Sequence, residues 1–290
     1  MMRVIQHPQE MQDWAKAQIR SGATVGLVPT MGFFHEGHLG LMRMAAGLCD
    51  LLVVSLFVNP TQFGPNEDLD RYPRDFERDR QLAQKEGVAV VFAPTPELMY
   101  PKGFQTEVQV RQLATHLCGK SRPVHFAGVA TVVSKLFNIV QADVAVFGEK
   151  DFQQLVIVRR LVADLNLPVR IVGHPIVREK DGLAMSSRNA NLDPANRAAA
   201  LSLVTSLQLA QTQALQGQRS TAVLTALLEK HIHSFTGTAV DYVSFVNCET
   251  LEPADVVDEQ TVLALAVFVE GKVGKVRLID NGFVLSRQHG

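Results

Sequence analysis

No Gly-x-Gly-x-x-Gly motif occurs in the chain, which weighs against a dinucleotide cofactor. Nor is there a basic block. The 28 Lys and Arg are balanced by 29 Asp and Glu and are spread along the sequence, so nucleic acid is not an expected partner. The longest apolar run, Val262 to Val269, is too short to span a bilayer, and the opening MMRVIQHPQEMQDW has no apolar signal core. Cysteine is scarce as well. Cys49, Cys118 and Cys248 are odd in number, far apart and set in apolar or helical context, which suits reduced thiols rather than a disulfide or zinc framework. These absences together lead us to expect a cytoplasmic protein with no membrane partner. Neither an internal repeat nor a low-complexity segment is present, so no solenoid or disordered tail is indicated. What is there is 290 residues, 47% apolar and 20% charged, enough to bury a sizeable core and long enough for two domains.

Through the first part, short apolar runs alternate with helical patterns. Strands are expected at Val25–Val28, Leu51–Val58, Ala89–Phe92, Val144–Phe147 and Val169–Val172, and helices at Leu39–Leu48, Arg74–Glu86, Val129–Gln141 and Phe152–Asp164. Alternation of this kind implies an α/β fold with a parallel sheet, which binds ligands beyond the carboxyl ends of its strands, near the point where strand order reverses. Val129, Val132, Val133, Leu136, Phe137 and Val140 keep helical spacing, so that helix should lie flat on the sheet. After about residue 178 the pattern changes. Asp193-Pro194 caps and opens a long helix towards Leu215, Gly217 ends it, and a second helix covers Thr221–His233. β-like runs follow at Val240–Val246, Thr261–Val269 and Lys275–Ile279. Residues 1–178 and 179–290 therefore read as a parallel-sheet domain and a smaller α+β domain, with a hinge near Val177–Asp181.

The most informative stretch is VGLVPTMGFFHEGH, Val25 to His38. An apolar strand expected to break at Pro29 passes through Gly32 and delivers His35, Gly37 and His38 to the start of an amphipathic segment. A helix start offers unpaired N–H groups and positive partial charge, which suits phosphate, and imidazoles there add donors. A single histidine at a helix start is more often a cap or a surface residue; His-x-Gly-His directly after a strand is far more specific. Further clusters fall in loops on the same expected rim. VNPTQFGPNEDLDRYPRD, 58 to 75, places Asn59, Gln62 and Phe63 at a strand exit, followed by Asp68, Asp70, Arg71 and Arg74, of which the two acids read equally well as metal-holding or solvated. FGEKD, Phe147 to Asp151, sets Lys150 as a point charge for phosphate and Asp151 as a helix cap or a partner for a ligand hydroxyl, with Gln153 and Gln154 in the first turn. KDGLAMSSRN, Lys180 to Asn189, offers hydroxyls and Arg188 on a loop able to grip phosphate and shut out water. Arg122 and His125 in KSRPVHF are weaker candidates.

Five clusters in this order resemble the pantoate–β-alanine ligase family of vitamin B5 and coenzyme A synthesis. The likeness runs from VPTMGFFHEGHLGL through SLFVNPTQFGPNEDLDRYPRD, SRPVHFAGVATVVSKLFNIVQADVAVFGEKDFQQL and DGLAMSSRNANL to DYVSFVNCETLEP and VRLIDN, nearly the whole chain. It implies a Rossmann-like nucleotide-binding domain of the HIGH-motif nucleotidyltransferase type, with the smaller domain acting as a lid that carries the SSRN loop. It also implies a two-step reaction. ATP and (R)-pantoate give pantoyl adenylate and pyrophosphate, then the β-alanine amine displaces AMP to give pantothenate. Magnesium would accompany the ATP, and the family habit implies a homodimer. Carried over position by position, Met31, Gly32, Phe33, Phe34, His35, Glu36, Gly37 and His38 correspond to ATP-binding positions. Gly148, Glu149, Lys150, Asp151, Val177, Met185, Ser186, Ser187 and Arg188 do so as well. Gln62 and Gln154 correspond to pantoate-binding glutamines, and His38 to the proton-donating catalyst, with His35, Lys150 and Arg188 as further catalytic donors and cations. No metal ligand is assigned. Phe33 and Phe34 stand where the family often has smaller or aliphatic residues, and Val124 and Ala127 where glycine and a polar residue are common.

A nucleotidyltransferase using the same histidine pair would need a basic pocket for a second phosphate, whereas the loops here supply glutamines and aromatics. A class I aminoacyl-tRNA synthetase would need more chain and a basic RNA-binding module. A binding protein that had lost catalysis would be expected to show a broken histidine pair or no arginine after the two serines, and neither is seen.

Overall fold

The structure is a computed structural model that describes residues 2–285 apart from 66, 68 and 71. Two compact units emerge. One comprises Met1–Glu149 with Gln153–Pro175, and the other Lys150–Phe152 with Ile176–Gly290.

The first unit is a parallel sheet clothed by helices. In chain order it contains β1 (Arg3–Ile5), α1 (Pro8–Arg20), β2 (Val25–Thr30), α2 (Glu36–Ala46), β3 (Leu51–Leu56), α3 (Phe76–Lys85) and β4 (Val90–Phe92). Then come α4 (Pro96–Met99), α5 (Cys118–Ser121), α6 (His125–Val140), β5 (Val144–Gly148), α7 (Phe152–Asp164) and β6 (Arg170–His174). The sheet order is β1-β4-β3-β2-β5-β6, with every pairing parallel. Strand order reverses between β2 and β5, the point at which open α/β sheets place ligands. Because strand side chains alternate, neighbouring residues serve opposite layers. Leu27, Val53, Val90 and Ala145 pack with Met11 of α1, Val133, Leu136 and Phe137 of α6 and Val158 of α7. Val28, Val54, Val91 and Val146 pack instead with Leu41, Met42 and Ala45 of α2 and Ala83 of α3. Strands buried on both faces explain why their sequence runs are almost continuously apolar.

Several expectations shift. The chain does not break at Pro29: β2 runs on to Thr30, with Pro29 opposite Ser55 of β3. The reason lies in which edge Pro29 faces. Val25 directs both its polar groups away from β3, its N–H to Asp143 Oδ2 at 2.7 Å and its C=O to the Asp143 N–H at 2.8 Å. Alternation turns Pro29 to that same side, where pairing with β5 extends only over Gly26 and Leu27, so the missing N–H costs no ladder bond. Helix α2 begins at Glu36, three residues before the periodic segment, because His35 caps it. Helix α6 likewise begins at His125 rather than Val129. Strand β1 and helix α1 lie in an opening stretch for which no element was expected; of α1 only Met11 and Ala15 are buried, too sparse a stripe to stand out.

The second unit holds α8 (Arg197–Leu215), α9 (Thr221–His233) and an antiparallel sheet β7-β8-β9 made of Thr238–Asn247, Thr261–Gly271 and Gly274–Phe283. Leu203 and Leu207 of α8 and Leu224, Leu228 and Ile232 of α9 pack on Val243, Phe245, Leu263, Leu265, Val276 and Leu278 of the sheet. Asp193 and Pro194 do not open α8 directly. They form a 3-10 turn, Pro194–Asn196, with Asp193 accepting from the Ala195 N–H at 2.9 Å.

Candidate functional site

The loop from β2 into α2 is rigidly built. Gly32 has φ 88° and Phe33 has φ 54°, a left-handed conformation costly for an aromatic residue and held only where surroundings enforce it. What enforces it here is Asp79 on α3, which is 1% exposed. Its carboxylate accepts the Phe33 N–H at 2.5 Å and the Phe34 N–H at 2.7 Å. Burial raises the Asp79 carboxyl pKa above its ordinary range, opposed by those same two N–H groups. Arg78 lies over the Phe33 ring at 5.5 Å, and Phe34 is buried at 1% exposure. Phe33 and Phe34 are thus part of the packed loop.

At the loop's end the histidines cap the helix. His35 Nδ1 accepts the Gly37 N–H at 3.2 Å, and His38 Nδ1 accepts the His35 N–H at 3.3 Å. The rings lie 4.1 Å apart, centre to centre. With both Nδ1 atoms accepting, the proton of each neutral ring sits on Nε2. The capping and donating roles therefore coexist on the same side chains. Glu36 is turned to a different task, pairing with Arg43, which also forks onto Glu86 at 2.9 and 2.7 Å.

Gln62 sits in the 3-10 turn Pro60–Gln62 after β3 and is 7% exposed. Its Oε1 accepts from Asn59 Nδ2 at 3.1 Å, and its Nε2 reaches Met31 Sδ at 3.3 Å, so the structure brings the second loop against the first. Asn59, 1% exposed, is fixed in turn by the Tyr100 hydroxyl at 2.7 Å and by the Gly128 carbonyl at 3.2 Å. The Gln62 carbonyl is held by His125 Nδ1 at 2.9 Å and by Arg122 at 3.3 Å. With His125 Nδ1 donating, its Nε2 accepts from Arg122 Nη1 at 3.3 Å, one consistent tautomer. Arg122 forks onto Glu67 at 2.8 and 2.5 Å. Burial by itself would raise the Glu67 carboxyl, but the Arg122 fork and charge outweigh it and hold the pKa below the usual value. Arg122 and His125 thus act on Gln62 through its backbone. Asp68 and Arg71 lie outside the described residues.

Beyond β5, Glu149–Asp151 forms a 3-10 turn that leads straight into α7, with Lys150 half-buried and Asp151 exposed. Gln154 is half-buried on the first turn of α7. Its neighbour Gln153 is a structural tie, accepting the Cys118 N–H at 3.0 Å and donating to Leu113 and His116 carbonyls at 2.9 and 2.7 Å.

In the second unit, Val177 and Met185 face each other across a hairpin, the Met185 N–H donating to the Val177 carbonyl at 2.9 Å. Ser186 caps the turn Ser187–Asn191 by accepting the Arg188 N–H at 3.2 Å, and Ser187 is 7% exposed. Asn189 Nδ2 ties the turn back to Glu179 at 2.6 Å and to the Ala184 carbonyl at 3.1 Å. Glu179 also receives Arg197 at 2.7 Å. Sequence reasoning named Asn59 by its place beside Gln62 at a strand exit, but missed Asp79, Tyr100 and Glu67, whose roles depend on contacts far apart in the chain.

A helix start at the switch point of a parallel sheet is where open α/β proteins place phosphate-bearing ligands, and the fold defines the chain as a protein of that α/β class. A family model for pantoate-beta-alanine ligases matches residues 3–283. The chain is 54% identical over 280 residues to a pantothenate synthetase of Geobacter sulfurreducens, covering 97% of this chain and 98% of that one. A second relative of the same description, from Desulforapulum autotrophicum, is 56% identical over 280 residues, covering 97% of this chain and 98% of its own. Among solved structures, pantothenate synthetase from Thermus thermophilus superposes with a TM-score of 0.90 at 45% identity, covering 98% of this chain and 100% of that one. Pantoate-beta-alanine ligase from Francisella tularensis, complexed with beta-gamma ATP and beta-alanine, gives 0.78 at 31% identity, covering 98% of each chain. The chain belongs to the pantoate–β-alanine ligase family.

Asp79→Ala leaves the N–H groups of Phe33 and Phe34 without their acceptor and is expected to cost about 3 kcal/mol or more in denaturant unfolding, with Asp79→Asn intermediate. Gly128→Ala would place a Cβ 2.5 Å from the Thr61 carbonyl oxygen and 2.6 Å from the Gln62 nitrogen, both backbone atoms. We expect it to lower stability by about 1–3 kcal/mol in the same measurement.

Proposed function

We infer that the chain catalyses ATP-dependent condensation of (R)-pantoate with β-alanine, giving pantothenate, AMP and pyrophosphate by way of pantoyl adenylate. The observation that carries this is family membership over residues 3–283. In the first step a pantoate carboxylate oxygen attacks the α-phosphorus of ATP and the bond to the departing pyrophosphate breaks. In the second the β-alanine amine attacks the acyl carbon, AMP leaves, and the amine loses a proton.

Negative charge builds on the phosphate oxygens in the first step, so catalysis needs donors and cations already in place. We assign those roles to His35 and His38 through Nε2–H, and to Lys150 and Arg188 as cations. The preset tautomer of both rings supports the histidine roles. Met31 to His38, Gly148 to Asp151, Val177 and Met185 to Arg188 make up the proposed nucleotide-binding set, although the pairing of Glu36 with Arg43 argues for a supporting part there. Gln62 and Gln154 are proposed to hold pantoate. Burial of Gln62 with its Oε1 engaged by Asn59 supports a fixed amide that recognises hydroxyl or carboxylate. The acyl adenylate must be kept from water, a role we give to the Ser186–Arg188 segment and, more broadly, to residues 179–290 as a lid.

Magnesium is proposed to enter with ATP, where it would neutralise charge on the departing pyrophosphate. Asp79, Glu67 and Glu36 are already engaged by loop amides, Arg122 and Arg43, so we assign none of these three to the metal. Among the described residues no helix is long and apolar enough to cross a membrane. A cytoplasmic homodimer is proposed from the family resemblance.

Incubation with ATP, Mg²⁺, pantoate and β-alanine is expected to give AMP and pantothenate in equal amounts; ADP as product would overturn the adenylate route. His38→Ala is expected to lower kcat about a hundredfold or more, the magnitude typical of a lost transition-state donor, while the protein stays folded with a stability loss of about 1 kcal/mol from the missing cap. Gln62→Ala should raise the pantoate KM while leaving that for ATP unchanged, and an unaltered pantoate KM would remove it from the substrate's surroundings.

A further inference from the structure

The VRLIDN segment on β9 carries an acid and an amide that no step above uses. Asp280 is 2% exposed and Asn281 is 7% exposed. A carboxylate so deeply placed needs partners, since a lone buried charge is costly. Arg178 supplies them with a two-pronged fork, Nη1 to Oδ2 at 2.6 Å and Nη2 to Oδ1 at 2.9 Å, and the Asn281 backbone N–H adds a third bond at 2.8 Å. Arg178 also donates to the Gly182 carbonyl at 3.0 Å and pairs with Ala184 across the hairpin. The Glu179 N–H to Leu183 carbonyl bond at 2.8 Å and the Met185 to Val177 bond at 2.9 Å complete that hairpin, whose outgoing arm becomes Ser186-Ser187-Arg188. The Asn281 side chain points the other way: its Nδ2 donates to the Lys150 carbonyl at 2.9 Å. Lys150 to Phe152 belongs with this second unit.

We propose that Asp280 and Asn281 are positioning residues for the phosphate-binding cations. Asn281 sets Lys150 through its backbone carbonyl, and Asp280 sets the Ser186–Arg188 turn through Arg178. One end of one strand thereby fixes two segments that lie far apart in the chain. A forked arginine is pre-organised and transmits orientation better than a single contact, and a short amide-to-carbonyl bond fixes the backbone from which Lys150 extends. The proposal rests on the reading of Lys150 and Arg188 as groups that grip phosphate.

A double-mutant cycle tests it, read by pantoate-dependent exchange of labelled pyrophosphate into ATP, which reports the first step alone. Asn281→Ala is expected to slow exchange about tenfold while the β-alanine KM of the full reaction stays unchanged. In a Lys150→Ala background the same change should add less than about twofold, because the group it positions is gone. The unfolding midpoint of each single variant, measured alongside, guards against a simple folding defect: Asn281→Ala is expected to remain folded while exchange falls. The cycle of Asp280→Asn with Arg188→Ala should be non-additive in the same way. Losses that multiply independently in either cycle overturn the positioning role while leaving the reaction assignment intact. Undiminished exchange in Lys150→Ala itself overturns the phosphate role of Lys150 and this proposal with it.

Discussion

N–H groups at a helix start need acceptors, and in α2 imidazole nitrogens supply them. His35 and His38 each give up Nδ1 to a backbone N–H, which fixes ring orientation and leaves the proton on Nε2. A cap is usually a short hydroxyl or carboxylate, and stability is the whole of its purpose. Here the capping group keeps a second polar atom, so local folding and the proposed donor role use opposite ends of one ring. The arrangement survives only if the preceding turn holds still. Phe33 in a left-handed conformation would relax without Asp79, and the caps would move with it.

The same logic of support reaches Gln62. Asn59 aligns its amide, while His125 and Arg122 hold its carbonyl, and Gly128 lets α6 come so near that a methyl group would collide with the turn. The two glutamines of α7 show that residue type alone decides little. Gln153, buried and fully engaged with carbonyls and an N–H, stitches the 113–118 segment to the helix, whereas Gln154 one position on has a different environment and a different proposed task.

Much of the fold was legible because it is built from period. Val129, Val133, Leu136 and Phe137 keep helical spacing, and they do pack on the parallel sheet. Helix Phe152–Asp164 and helix Thr221–His233 fall where spacing put them. Boundaries slipped where a side chain rather than a pattern sets the end, as at His35, or where strand geometry excuses a proline, as at Pro29. Helix α1 escaped notice because only Met11 and Ala15 of its residues are buried. In the site, motif residues in loops could be read, since chemistry limits what may stand there. Asp79, Tyr100 and Glu67 could not: an acid on a polar helix face looks solvated until the fold brings loop amides to it.

That asymmetry follows from what the reaction asks of the protein. Adenylate formation needs no covalent nucleophile from the enzyme, only donors and charges preplaced around phosphate, and preplacement is a property of supports more than of the groups themselves. A neutral donor on an imidazole is useful if its ring cannot rotate, and a lysine is useful if its backbone cannot drift. The buried carboxylates of Asp79 and Asp280 do this by different means, one accepting two loop amides and the other a forked guanidinium. Both bury a carboxylate among the donors it needs to hold backbone in position, a desolvation cost that ordinary loop packing would not require. The presence of such carboxylates beneath the β2–α2 loop and beneath the hairpin leading to Ser186 is physical reason to regard these as the two segments whose geometry the fold is built to keep.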